Sequence, residues 1–463
     1  MSGNADRIRR ILDDHGPALR RASDATTQPA APTEPATPPA ASTTANEILR
    51  ERLAALRAHA IGTGPSRGPG GAAPEAGWMP ALVLPEEDGR TLEAHVGAVL
   101  RTGRKGSFLQ TERRWSLAER HGHTTLAAAL ERPIPLRRRE RRVGGGDHVH
   151  ARDAVFLDLE TTGLSGGTGT IAFLVGAGRF VDDAFVVRQY FLRDFPDEPA
   201  LLEALVEDVG DAPLVTFNGR CFDAPLLTTR LRIHRVPFAD RDHLDLLPPA
   251  RRLWAGSLES HALSALERHV LGVVRPDDLP GALMPVAYFA WLREARAAGV
   301  AGAFKHNELD IVSLAALCGV VGRLLDDPTA RPDAVARDHL DTARLLVDHG
   351  DLAKARTCLE AAIESGAEAP SEGLRRMLGT LHRRAGDLPA AERTWTRWIV
   401  ALESARTFDA HPYEELAKLL EHRKKDLRAA REIVERALAR CPATDAHRPH
   451  LVHRRARLDR RQA

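Results

Sequence analysis

Asp158 and Glu160 stand two residues apart inside the apolar run AVFLDLETTGL. Side chains on a strand alternate faces, so this spacing projects both carboxylates from one side. Neighbouring carboxylates repel, and a hard divalent cation such as magnesium or manganese is what joins them. An Asp-x-Glu at a strand end equally caps the following turn, so the pair needs company before it indicates chemistry. APLVTFNGRCFDAPLL supplies some: it reads as a buried strand, a turn at Asn218-Gly219, and Asp223 opening a helix. AFKHNELDIVSLAAL then sets His306 and Asp310 four residues apart at a helix start, so the imidazole and carboxylate share a face. Three acidic stations and a histidine, each at a junction of elements, could converge on one metal centre.

The elements that must position these groups are legible around them. AVFLDLE, TIAFLVGAGRFV and AFVVRQYFL read as strands, followed by a helix in ALLEALVEDV and the APLVTF strand. Hairpins first and strand–helix alternation later describe an α/β mixed sheet flanked by helices. LSGGTGT lies between two strands and opens no helix, so it is not a dinucleotide fingerprint. It is either a tight hairpin or backbone that a nucleic-acid strand approaches closely. Upstream, GSFLQTERRWSL alternates as a strand does, and a helix is expected near Thr125–Glu131. His121 and His123 in RHGH have metal-like spacing but no acidic or Cys partner nearby, and read as loop residues. The run PLRRRERR reads either as a phosphate grip or as an exposed linker.

The ordered words FLDLETTGLSGGTGT, FNGRCFDAPLL, HLDLLPPARRLW, LESHALSALE, RPDDLPG and HNELDIVSL carry a family likeness. Asp158, Glu160, Asp223 and Asp310 resemble the four acidic residues of the DEDD ribonuclease-H-like exonucleases. The region from about Asp147 to Leu325 resembles their bacterial YprB-like branch, more weakly so over Gly106–Ala129, and the likeness does not reach the first 80 residues. It implies a ribonuclease-H-like fold, 3′→5′ exonuclease action on DNA or RNA, and two divalent cations, Mg²⁺ or Mn²⁺, held by the four carboxylates. Such a pair, about 3.5–4 Å apart, activates a water and stabilises the leaving oxygen. The resemblance makes Asp158 the bridging ligand and His306 the group that takes the proton from the attacking water, a task suited to its ordinary pKa. His306 precedes Asp310 by four positions, where histidine-type relatives use five. Four is the tyrosine-type spacing, so a histidine stands in the tyrosine's place; a helix-capping His beside Asn307 is the plainer reading. Thr161, Asn218, Gly219, Arg251 and Arg275 are candidate nucleic-acid contacts, with Arg252 beside them. Asn218-Gly219 equally reads as a strand-ending turn, and Asp245 either as a residue supporting the metal ligands or as a cap for a helix near Pro248.

A chain of 463 residues that is 43% hydrophobic suggests two or three domains. Residues 1–76 read as a mostly disordered tail, Pro/Ala/Thr-rich, with two short helices, one over residues 1–23 and one in NEILRERLAALRAHA. Residues 77–146 read as an N-terminal extension packed on the nuclease domain, and 147–330 as the ribonuclease-H-like domain itself. In 331–463 the word D-L-x-x-A recurs at Asp351, Asp387 and Asp426, spaced 36 and 39 residues apart. This all-α segment resembles tetratricopeptide helix pairs, whose arrays bind protein partners. Net charge is +2, unevenly shared: residues 151–330 hold 17 Lys+Arg against 25 acids, and the flanks hold 22 against 17 and 26 against 21. An acidic centre suits carboxylates awaiting cations, and basic flanks suit a phosphate backbone, although Arg-rich helices also serve as solvated faces. Cys221, Cys318, Cys358 and Cys441 lie far apart, which argues against structural zinc and a disulfide framework and for a reducing cytoplasm. The start lacks an apolar core and no 18-residue apolar run occurs, so a soluble protein away from the membrane is expected. The rival reading is a non-catalytic nucleic-acid-binding or scaffold protein acting through its repeats.

Overall fold

The computed structural model describes residues 84–163, 169–331, 333–364 and 372–462. The tail expected over 1–76 and most of LSGGTGT lie outside the described residues. In chain order the strands are β1 (Val99–Gly103), β2 (Gly106–Ser116), β3 (Arg120–His121), β4 (Thr124–Thr125), β5 (Ile134–Pro135), β6 (His148–Val149), β7 (Val155–Thr161), β8 (Ala172–Val181), β9 (Ala184–Phe191), β10 (Leu214–Thr216) and β11 (His243–Asp245). Seven of them form one mixed sheet in the order β1-β2-β9-β8-β7-β10-β11. The run from β1 to β7 pairs antiparallel, while β7, β10 and β11 pair parallel. Helices flank this sheet and an all-helical region follows it, a ribonuclease-H-like architecture. Residues before 147 do more than pack on the sheet: β1 and β2 are two of its strands.

The period-2 pattern of AVFLDLE sets the layers. Phe156 joins the apolar cluster on one face with Phe180, Phe185, Val215 and Ile311. Val155, Leu157 and Leu159 join the cluster on the other face with Phe173, Phe191, Leu205 and Tyr288. Asp158 and Glu160 therefore share the Phe156 face, which the long helix Ala297–Asp326 covers. That helix begins well before His306, correcting the expectation of a helix start there. The chain near Thr125–Glu131 is a short 3₁₀ turn, Leu126–Leu130. The arginine run is docked: Arg137 pairs with Glu140, and the Arg142 amide donates to Asp242 at 2.7 Å.

The three D-L-x-x-A words each open a helix (Leu352–Glu364, Leu388–Ser404 and Leu427–Arg440) for a local reason. Asp351, Asp387 and Asp426 accept the amides of Lys354, Ala390 and Ala429 at 3.0, 3.0 and 2.9 Å, which satisfies orphan donors of the first turn. Ala355, Ala391 and Ala430, four residues after each Asp, are fully buried where helices meet. The preceding Gly350, Gly386 and Lys425 have φ of 86°, 78° and 60°, the left-handed turn that ends the previous helix. The apolar core does not break at 330. Leu346, Leu359 and Leu378 share the cluster of Phe156, and a separate cluster begins at Ala391.

Candidate active site

β7 and β10 run parallel, so both deliver their C-terminal ends to the same edge of the sheet. Asp158 and Glu160 sit near the end of β7, where the pairing with β8 shifts register between Glu160 and Thr161. Beyond β10 the chain turns at Asn218, whose φ of 64° is left-handed, and enters the helix Asp223–Ile233 with Asp223 as its first residue. The amides of Asn218 and Arg220 donate to Asp245 at 2.7 and 3.2 Å, so Asp245 holds this turn and also caps the next helix through the Leu247 amide at 3.1 Å. A Cβ on Gly219 would lie 2.6 Å from Thr216 and 2.9 Å from Asp223 Oδ2; only glycine lets the turn close against Asp223. The Leu159 amide, between Asp158 and Glu160, is close enough to the Asp223 carboxyl to favour its ionised form.

The long helix supplies the remaining groups. A Cβ on Gly176 would lie 2.2 Å from Asn307 Oδ1, and one on Gly178 would lie 2.4 Å from Ile311 Cγ2. These two glycines of β8 form a trough in which the helix sinks onto the sheet, Gly176 standing directly opposite Asp158. There Asn307 Nδ2 donates to Asp158 Oδ2 at 2.9 Å and to its carbonyl at 3.2 Å. Gln189 Nε2 donates to Asn307 Oδ1 at 2.9 Å, and the Thr111 hydroxyl donates to Gln189 Oε1 at 3.0 Å. Thr111, Gln189 and Asn307 are all buried, so the relay fixes the Asp158 carboxylate through satisfied polar groups.

A second network sets His306 and Asp310. His306 Nδ1 donates to Asp278 at 2.8 Å, and its Nε2 lies 3.5 Å from Asp310. Arg275 Nη1 pairs with Asp310 at 2.7 Å and its Nη2 with Glu267. Ser313 donates to Glu267, which leaves the His121 ring N–H to donate to Ser313 Oγ at 2.7 Å. Burial, with Arg275 nearby, depresses His121 to about 4, so the ring is neutral. His121 is thus a buried strand residue, correcting its reading as a loop residue; His123 does lie in the turn between β3 and β4.

Electrostatically the carboxylates form one group. Burial raises Asp158 well above the carboxylate range, and Asp310, Glu160 and Asp223 raise it further. Burial pushes Glu160 up to about 8, with Asp310 and Asp223 adding to the rise and His306 opposing it. Burial likewise pushes Asp223 up to about 7, against backbone amides that lower it. Burial alone would lower His306, but its hydrogen bond to Asp278 and the fields of Asp310 and Glu160 raise it to about 9. Hard oxygen donors crowded until they resist ionisation fit a divalent cation, which would relieve that repulsion. Among the described residues no three such groups are drawn into a ready-made metal cage, and Arg275 occupies Asp310. A cation would have to displace Arg275 or share Asp310 with it.

Of the other expected contacts, Asn218 and Gly219 border Asp223 as described. Thr161 follows the bulge, its hydroxyl donating to the Gly163 carbonyl at 2.9 Å. Arg275 is buried in its ion pairs rather than presented to solvent. Arg251 is exposed on the helix Leu247–Leu253, which packs on the helix Ala336–Asp348. Sequence reasoning missed Asn307, Gln189, Asp278 and Glu267 as site residues. Asp278, Glu267 and Asn307 fall within RPDDLPG, LESHALSALE and HNELDIVSL, words that carry the family likeness, whereas Gln189 had no local signal. Among the described residues no helix is long and apolar enough to cross a membrane.

Comparison with known proteins agrees with this fold. Residues 155–321 match the RNase H superfamily, a span that opens on β7 and closes within the long helix. The chain is 31% identical over 313 residues to YprB, an uncharacterized protein of Bacillus subtilis (strain 168); the match covers 66% of this chain and 74% of that one. The chain therefore belongs to the YprB family, with an RNase H superfamily domain at its centre.

Proposed function

We propose that this protein is a DEDD-type 3′→5′ exonuclease dependent on two divalent cations, Mg²⁺ or Mn²⁺. An RNase H superfamily domain supports nuclease-type activity on nucleic acid. The observation that carries the finer reading is the placement of Asp158 and Glu160 near the end of β7 and of Asp223 just beyond β10, with Asp310 beside an oriented histidine on the long helix. When bound, the cations supply a more acidic water and neutralise charge on the scissile phosphate and leaving oxygen. Asp158, Glu160, Asp223 and Asp310 would hold them. Asn307 keeps Asp158 in one rotamer, and the Asp245-braced turn does the same for Asp223. His306 accepts the proton of the attacking water at Nε2 while Nδ1–H stays on Asp278, which fixes the tautomer. His306 must be neutral for this, and neutralising Glu160 and Asp310 weakens the fields that hold its proton. The helix pairs of the C-terminal region are tetratricopeptide-like and offer a surface for a protein partner.

The test is incubation of 5′-labelled single-stranded DNA and RNA with the full chain in Mg²⁺, Mn²⁺ or EDTA. Stepwise shortening that requires metal is expected. Internal cuts would replace the exonuclease reading with an endonuclease, and binding without any cleavage would leave the scaffold reading. Asp278→Asn is expected to slow cleavage by roughly 10–100-fold while preserving the fold, as loss of an orienting partner does. Because Asp278 raises His306, the acidic limb of the pH–rate profile should also move to lower pH; an unmoved limb would remove His306 from proton transfer.

A further inference from the structure

A cleft of about 640 Å³ opens between the Asp223–Ile233 helix, the segment around Arg139–Arg141, and the loop Phe238–Arg241 at the β11 edge. Ala224 lines it, so it begins one residue from Asp223. Five arginines surround it: Arg139, Arg141, Arg220, Arg232 and Arg241. Elsewhere several guanidinium groups are neutralised by carboxylates, as Arg137 is by Glu140, Arg230 by Glu198, and Arg275 by Asp310 and Glu267. In the cleft the pattern reverses. Among the described residues none of the five stands in an ion pair with a carboxylate.

Three of them are nevertheless held in place, by main-chain carbonyls. Arg141 Nε and Nη2 donate to the Leu136 carbonyl at 3.1 and 2.9 Å. Arg220 Nη1 donates to the His243 carbonyl at 3.1 Å, and its Nη2 to that of Arg139. Arg241 Nη1 donates to the Gly210 carbonyl at 2.8 Å, and its guanidinium lies 3.7 Å from the centre of the Phe238 ring. A carbonyl orients a guanidinium without cancelling its charge, so the remaining N–H groups are aimed. Asp211 and Asp240 act on Arg241, and Asp147 on Arg141, only at a distance, without forming an ion pair. The acids of the lining are Glu140, already spent on Arg137, and the exposed Asp240. Burial depresses His243 to about 4, so it adds no charge of its own. Gathering five cations around one cleft is costly unless an anion completes the site.

We infer that this cleft binds successive phosphates of the nucleic-acid strand whose end is presented to Asp158 and Asp223. The inference rests on the nuclease reading for its substrate, but its test separates the two. Binding of a single-stranded oligonucleotide about twelve nucleotides long to the full chain is measured by anisotropy in EDTA at several salt concentrations. Arg139→Gln/Arg232→Gln changes two arginines whose side chains make no hydrogen bond or ion pair among the described residues, and Arg141→Gln is a second variant. The double variant should bind roughly 10-fold more weakly near physiological salt, with a salt slope smaller by about 1.4 in magnitude. Hydrolysis of a small phosphodiester, which does not reach the cleft, should be unchanged in it. An unchanged slope in both variants would overturn the cleft while leaving nuclease activity standing. A reduced slope in a protein that cleaves nothing would keep the cleft and sink the nuclease. A nucleoside monophosphate bound as tightly as the oligonucleotide would also overturn the inference, since the site would then read a free phosphate.

Discussion

Asp158→Asn is expected to lower cleavage by at least ~10³-fold and, without metal, to stabilise the protein. The two effects share a cause. Asp158 is half-buried beside Asp310, Glu160 and Asp223, and each of them makes its charge more costly. The amide is isosteric, and its oxygen can still accept the Asn307 N–H bond that the carboxylate accepts now. What is lost is the charge that would hold a cation. In EDTA at pH 8 the variant should gain about 1–2 kcal/mol, the usual exchange of function for stability at a strained site. The sign of the pH dependence follows. Asp158, Glu160 at about 8, Asp223 at about 7 and His306 at about 9 are all raised in the folded state. The folded protein thus keeps protons that the unfolded chain has released, and metal-free stability falls as pH rises from about 4 toward 9. Asp158→Asn should flatten that fall, and Mg²⁺ should offset it in the wild type but not in the variant. Melting curves at pH 5 and pH 8, with and without Mg²⁺, decide the matter. A variant less stable than wild type at pH 8 would contradict the charge strain; one that still cleaves would remove Asp158 from the chemistry.

The second large effect is expected at a residue with no chemistry of its own. Gly176→Ala places a methyl 2.2 Å from Asn307 Oδ1 and 2.9 Å from its Cγ. Asn307 cannot swing aside, since it is 0% exposed and bonded to both Gln189 and Asp158. Either the long helix rises off the sheet or the relay breaks. Overpacking costs about 1–3 kcal/mol and the stranded polar groups another 1–3 or so. His306 and Asp310 ride on the same helix, so cleavage should fall by roughly 10²-fold even where the protein remains folded. Chemical denaturation of a double-mutant cycle with Asn307→Ala tests the cause. The methyl should cost far less once Asn307 is gone, and a full, additive cost would place the clash elsewhere.

How far the sequence revealed this site depended on how local each part was. Alternation in AVFLDLE was enough to place Asp158 and Glu160 on one face, and FNGRCFD was enough to put a turn before Asp223. D-L-x-x-A announced its helices because a cap and a buried alanine lie within five residues. The position of His306 within its helix was misread because AAGVAGAF is built of small residues and shows little periodicity. The relay was invisible for another reason. Gln189 reaches Asn307 across 118 residues and Thr111 reaches Gln189 across 78, and no local pattern announces a bond of that span. The docking of the arginine run depended on Asp242, 100 residues away from Arg142.

The relay from Thr111 through Gln189 and Asn307 to Asp158 crosses from the second strand of the sheet to its fifth. It makes three uncharged residues on three separate segments heritable only as a set. Replacement of any one by an aliphatic residue strands its neighbours' hydrogen bonds in the interior, a loss that a second replacement can restore only by removing the partner as well. Lineages that keep Asp158 in place should therefore change Thr111, Gln189 and Asn307 together or not at all. The same bond pattern ties β2, which lies outside the span shared with the wider superfamily, to the evolutionary fate of the carboxylate it never touches.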